Sequence, residues 1–209
     1  MTDAVRTGRV RAAHLGPERR RPEVLDAALA IAVKSGVGAV TIGAVAQHLG
    51  VTRPVVYSCF RDRVALIEAL VEREGERLLA SALAALHSAR GDDPEAVFVR
   101  GYQAFLDVVA DWPDAWRLLF SAAPDPAVAD KFQRARREMA ESATQWLRPA
   151  LTAWWGVTDL DHKLPVLVEL FMSSCEAAGR SLLDQPDDWT TQELGELYGR
   201  MICRAFSVA

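Results

Sequence analysis

Between residues 41 and 60 the chain reads TIGAVAQHLGVTRPVVYSCF, a stretch that admits few folds. Ile42, Val45, Ala46 and Leu49 fall at i, i+3, i+4 and i+7, the stripe of an amphipathic helix. Thr41 ahead of it is a favourable N-cap, and Gly50 behind it suits the left-handed residue that ends a helix. Val51 follows as a buried turn residue. Thr52 caps a second short helix, with Val56 inward and Phe60 closing the unit. Ala46 is small where the two helices cross. The spacing is that of a helix-turn-helix, whose second helix lies in a DNA major groove.

The charge distribution agrees. Residues 1–66 hold ten Lys and Arg against five Asp and Glu, whereas the remainder holds fourteen against twenty-three. Attraction to phosphate supplies most sequence-independent DNA affinity, so the basic end is the end expected to touch DNA. The 209 residues, half of them hydrophobic, can bury one medium core or a small and a larger one. No run of about 18 apolar residues is present, so no membrane span is expected. The arginine-rich start lacks the apolar stretch of a secretory signal. Cys59, Cys175 and Cys203 are odd in number and far apart, which fits free thiols in a reducing cytoplasm better than a disulfide framework or zinc site.

Residues 1–21 are rich in Arg, Gly and Pro and read as a flexible basic arm. Pro22 suits the first turn of a helix carrying Leu25, Ala28, Leu29 and Ala32 and ending near Gly36. After the helix-turn-helix a long helix is expected from about Arg61 to His87, weakened at Gly75. Asp93-Pro94 opens a helix to about Ala110, and Trp112-Pro113 opens a short one to Phe120. Pro124-Asp125-Pro126 opens a long one to about Trp154, with Phe132, Met139 and Trp146 seven apart and a kink expected at Pro149. The last two helices are expected over 161–183 and 189–206. Period-two strand patterns are missing, so the chain reads as all-α with about nine helices.

At Arg20 to Leu70 the chain resembles the N-terminal domain of TetR-type transcriptional regulators. The resemblance rests on Val24-Leu25-Asp26-Ala27-Ala28, Gly36, Thr41-Ile42, Val45-Ala46, Leu49-Gly50-Val51-Thr52, Val56-Tyr57, Phe60 and Arg63 through Leu66. Trp112 through Phe120 is similar to a segment of that family's C-terminal domains. Cys59, Pro54 and the run Arg61-Asp62-Arg63 depart from the family's usual residues. The resemblance implies a three-helix DNA-binding domain over 22–66 and a helical ligand-binding and dimerisation domain over 67–209.

The N-terminal end of a recognition helix faces the groove, which makes Thr52, Arg53, Pro54 and Val55 candidates for base and backbone contact. Arg53 can fork onto a guanine, and Pro54 and Val55 can meet a thymine methyl. Tyr57, Thr41, Arg61 and Arg63 are candidate phosphate contacts. Val56 and Phe60 read as core.

All six tryptophans lie after residue 110. The resemblance implies that this half encloses a small hydrophobic ligand, with Phe105, Trp116, Phe120, Met139, Trp146, Phe171 and Cys175 as candidate lining. Ordinary core packing is the alternative for each. Small residues along the last two helices (Ser173, Ser174, Ala177, Ala178, Ser181, Gly195, Gly199) suggest close packing in a homodimer, or packing within one chain. The function implied is a repressor released from a palindromic operator by ligand. The alternative is a helix-turn-helix regulator without a small-molecule effector, controlled by a protein partner. His14, His48, His87 and His162 are scattered, and no phosphate loop or nucleophile elbow occurs, so no catalytic residue, metal or cofactor is expected. Glu176 and Arg180 read as a helical ion pair.

Overall fold

The computed structural model describes residues 16–88, 91–120 and 129–209. Among these, nine α-helices and one 3-10 turn occur and no strand. The helices are α1 (Pro17–Ser35), α2 (Ile42–Leu49), α3 (Arg53–Tyr57), α4 (Arg63–Ser88), α5 (Pro94–Asp111), α6 (Pro113–Phe120), α7 (Ala129–Trp155), α8 (Leu160–Asp184) and α9 (Thr191–Ser207). The 3-10 turn, Val37–Ala39, joins α1 to α2.

Two apolar cores result. In the first, Val24, Leu25 and Ala28 of α1 meet Val45 and Ala46 of α2, Val56 and Phe60 around α3, and Leu66, Ile67 and Leu70 of α4. In the second, α5, α7, α8 and α9 enclose Phe98, Tyr102, Leu106, Leu147, Leu151, Phe171 and Phe206. Helix α6 belongs to both, because Leu118 is buried in the first and Trp116 in the second.

Several boundaries differ from expectation. Helix α1 begins at Pro17, with Pro22 inside it. That first turn is held by tertiary contacts: Arg21 Nη1 donates to Cys59 O at 2.7 Å and its guanidinium lies 4.4 Å from the Phe60 ring centroid. The Cys59 thiol approaches Pro17 O at 3.6 Å. Residues 17–21 therefore belong to the helix and not to an arm, while the rest of the expected arm lies outside the described residues, apart from Gly16. Helix α4 begins at Arg63, because the Asp62 carboxylate caps it by accepting from Ala65 N–H at 2.7 Å. Helix α7 is continuous through Pro149. Leu147 and Leu151 are fully buried on either side of it, and this packing outweighs one lost backbone hydrogen bond. The expected helix opening at Pro124–Pro126 lies outside the described residues. Helix α9 begins after Thr190, which forms a capping box with Glu193, a pattern readable as Thr-x-x-Glu.

Candidate nucleic-acid interface and cavity

The turn between α2 and α3 is built by local chemistry. Thr41 Oγ1 accepts from Ala44 N–H at 3.0 Å. Gly50 takes φ 65°, which lets Val51 N–H reach back to Ala46 O at 2.9 Å. Val56 and Phe60 are buried as anchors. What remains outward is a row of candidate readers. Thr52, Arg53, Pro54, Ser58 and Arg61 are exposed, Tyr57 is 53% exposed, and Val55 is half-buried. Thr52 makes no side-chain cap bond, so its hydroxyl is not committed to the helix it precedes.

The structure adds one partner that sequence reasoning missed. The Arg53 guanidinium lies against Gly43 of α2, where a side-chain Cβ would stand 3.1 Å from Nη2. Glycine at 43 leaves room for that arginine to fold along the two-helix unit.

Arg63 is placed differently from the other arginines. Its Nε donates to Val40 O at 2.7 Å and its Nη2 to Val37 O at 3.0 Å. These bonds clamp the start of α4 to the turn before α2. Replacing Arg63 with Met removes two charge-assisted bonds from a half-buried site, and a loss of about 1–2 kcal/mol in urea unfolding is expected. Arg61 is exposed and pairs with Asp62 at 3.2 Å. A second unanticipated anchor is Arg73, which donates to Asp26 at 2.7 Å and to the buried Glu74 at 2.6 Å, tying α4 to α1.

Six of the seven aromatic and sulfur residues singled out from sequence line one cavity: Phe105, Trp116, Phe120, Met139, Phe171 and Cys175. Leu78, Leu79, Ala143, Met172 and Glu176 complete the wall. Trp146 is elsewhere, stacked on Phe171 at 6.1 Å and edge-on to Phe98 at 5.4 Å. Trp116 stacks on Phe120 at 4.0 Å. Space for water-sized occupants is only about 60 Å³. Ligand pockets commonly hold several hundred, so a larger occupant must move a wall.

Glu176 does not pair with Arg180 as expected. Its carboxylate bonds instead to Arg136 of α7, which also reaches Glu169 at 2.8 Å. The better-oriented fork from a neighbouring helix wins over the i+4 partner. Burial pushes the Cys175 thiol up to about 12, which leaves it an un-ionised thiol. Burial likewise raises the Tyr102 hydroxyl, which shares a hydrogen bond with Ser174.

The glycines of α9 face inward. A Cβ at Gly199 would lie 2.5 Å from Val99 Cα, and one at Gly195 would lie 2.8 Å from Gln103 Cα. Both serve close packing of α9 on α5 within the chain. Ala178 is fully buried in the second core. The outward faces of α8 and α9 carry Val166 (70% exposed), Leu170, Leu197 and Met201 (54% exposed). No helix among the described residues is long and apolar enough to cross a membrane.

Residues 24–70 match the profile of bacterial regulatory proteins of the tetR family. A comparison with curated proteins finds no match. Solved structures share the fold over nearly the whole chain. A TetR-like transcriptional regulator from Rhodococcus sp. RHA1 is 19% identical with a TM-score of 0.71, covering 91% of this chain and 97% of that one. The fatty acid degradation regulator FadR from Bacillus halodurans is 10% identical with a TM-score of 0.71, covering 88% and 94%. The TetR family regulator PfmR from Thermus thermophilus is 18% identical with a TM-score of 0.65, covering 87% and 97%. Residues 24–70 thus carry the helix-turn-helix domain of the tetR family of bacterial regulatory proteins, and the chain as a whole shares its fold with these solved structures.

Proposed function

We propose that the protein is a homodimeric, cytoplasmic repressor that binds a palindromic DNA operator and is released from it by a hydrophobic small molecule. Thr52, Arg53, Pro54 and Val55 meet base edges and nearby backbone. Tyr57, Thr41 and Arg61 meet phosphates, and Arg63 acts chiefly by holding the head rigid. The observation that carries the release step is the double membership of α6. Trp116 and Phe120 form a cavity wall, and two residues along the same helix Leu118 is buried against α1 and α4. A ligand that parts the stacked pair must displace α6, and with it a residue of the reading head's own core. Release requires that the ligand bind the displaced state more tightly. The name of the Bacillus halodurans neighbour, a fatty acid degradation regulator, supports an apolar effector class.

Dimerisation draws support from the exposed apolar stripes on α8 and α9. A second copy covers them and sets two reading heads on successive major grooves.

Selection of duplexes from a random pool tests the reading. A palindromic sequence is expected to emerge. Arg53→Ala is expected to weaken binding to it by about 1–3 kcal/mol and to relax preference at one position per half-site. Uniform weakening on all sequences would assign Arg53 to phosphate alone.

A further inference from the structure

We propose that the cavity selects an uncharged, mainly apolar ligand carrying one hydrogen-bond acceptor, and that the Trp116 indole N–H is the group that reads this acceptor. The inference rests on the effector reading of the cavity and narrows it to a ligand class.

Trp116 is 3% exposed, and its Nε1 has no hydrogen-bond partner among the described residues. Buried donors are almost always satisfied, and one left unpaired carries a desolvation cost. The ring is packed between aromatic neighbours: Phe120 stacks on it at 4.0 Å and Phe105 meets it edge-on at 5.5 Å. Its edge lies on Gly179 of α8, where a Cβ would stand 2.6 Å from Cε2, the atom bonded to Nε1. That edge is one helical turn from Cys175 and Glu176, which line the cavity. A phenyl ring would supply the same apolar wall without stranding a donor. Trp116 lines this cavity with its donor covered and unpaired, so the wall movement that admits a ligand is what would bring an acceptor to the N–H.

The rest of the lining decides the ligand's charge. Leu78, Leu79, Met139, Phe171 and Met172 offer hydrocarbon and sulfur. The charged group of the described lining is Glu176, and its carboxylate is already bonded to Arg136. An anion would face that carboxylate. A cation would have to compete with a guanidinium already in place. Either would lose its water without gaining a free counter-charge. A ketone, ester or ether oxygen on an apolar body meets neither obstacle.

The test uses two probes of one shape, acetophenone and α-methylstyrene, in which C=O is replaced by C=CH2. Calorimetric titration of the full chain is expected to give about tenfold tighter binding of acetophenone. Trp116→Phe is expected to lose the discrimination and bind both probes alike. Benzoate and phenyltrimethylammonium are expected to bind at least about tenfold more weakly than acetophenone. In the native chain, one indole N–H resonance is expected to shift downfield with acetophenone and not with α-methylstyrene, a readout independent of the variant's folding. Equal affinity for the neutral pair, discrimination that survives in Trp116→Phe, tighter binding of either ion, absence of binding by both neutral probes, or an unmoved indole signal would each overturn the proposal. The broader reading fails separately. Acetophenone that binds selectively and leaves operator affinity unchanged removes the release mechanism and keeps the site. Operator release by an apolar compound regardless of acceptor does the reverse.

Discussion

A chain carrying Leu197→Glu and Met201→Glu is expected to behave as a monomer in light scattering and to lose operator affinity by on the order of 100-fold or more. Both side chains are exposed on α9, Met201 by 54%, so the change removes nothing from the core of the chain itself. In a two-fold interface each substitution appears twice, and four new carboxylates join Glu193 and Glu196 on the same helix. Burying such charges without partners costs several kcal/mol, more than an interface built on Val166, Leu170, Leu197 and Met201 can offset. A lone head then reads half an operator. Unchanged helical content by circular dichroism is the accompanying expectation. A dimer that persists in this variant would move the interface away from α8 and α9.

What could be read from the sequence, and what could not, divides along the range of the interactions. The helix-turn-helix was legible because Thr41 and Gly50 act within a few residues of themselves and Ile42, Val45 and Ala46 declare one face. Most of the cavity lining was legible for a related reason, since apolar and aromatic residues at helical spacing must point inward somewhere. Trp146 obeys the same rule and points into the aromatic core beside the cavity. The direction taken by Arg63 was hidden, because its acceptors at Val37 and Val40 belong to a turn more than twenty residues away. Arg21, Arg73 and the seat of Arg53 on Gly43 depend likewise on helices brought together by folding. Small residues four apart on α9 look the same whether their neighbour is in the same chain or in another copy. The position of α5 alone decides that Gly195 and Gly199 face inward.

Two glycine-to-alanine substitutions are expected to move stability in opposite directions, and the contrast tests how α9 is held. At Gly199 the added methyl would lie 2.5 Å from Val99 Cα and 2.7 Å from its N. These are backbone atoms that no rotamer change can move, so α9 and α5 must separate along the most extensive helix pairing among the described residues. A loss of about 3 kcal/mol is expected, the upper end of the overpacking range. At Gly75, inside α4, an added Cβ meets nothing within 4 Å. Alanine there lowers the entropy of the unfolded chain without strain in the folded one, for an expected gain of about 0.5–1 kcal/mol. Urea midpoints of the two variants should therefore fall on either side of the parent's. Losing less than about 1 kcal/mol at Gly199 would mean that α9 does not lie backbone-to-backbone on α5. Its Leu197 and Met201 would then lack the rigid support that turns them outward, and the case for a dimer through this helix would weaken with it.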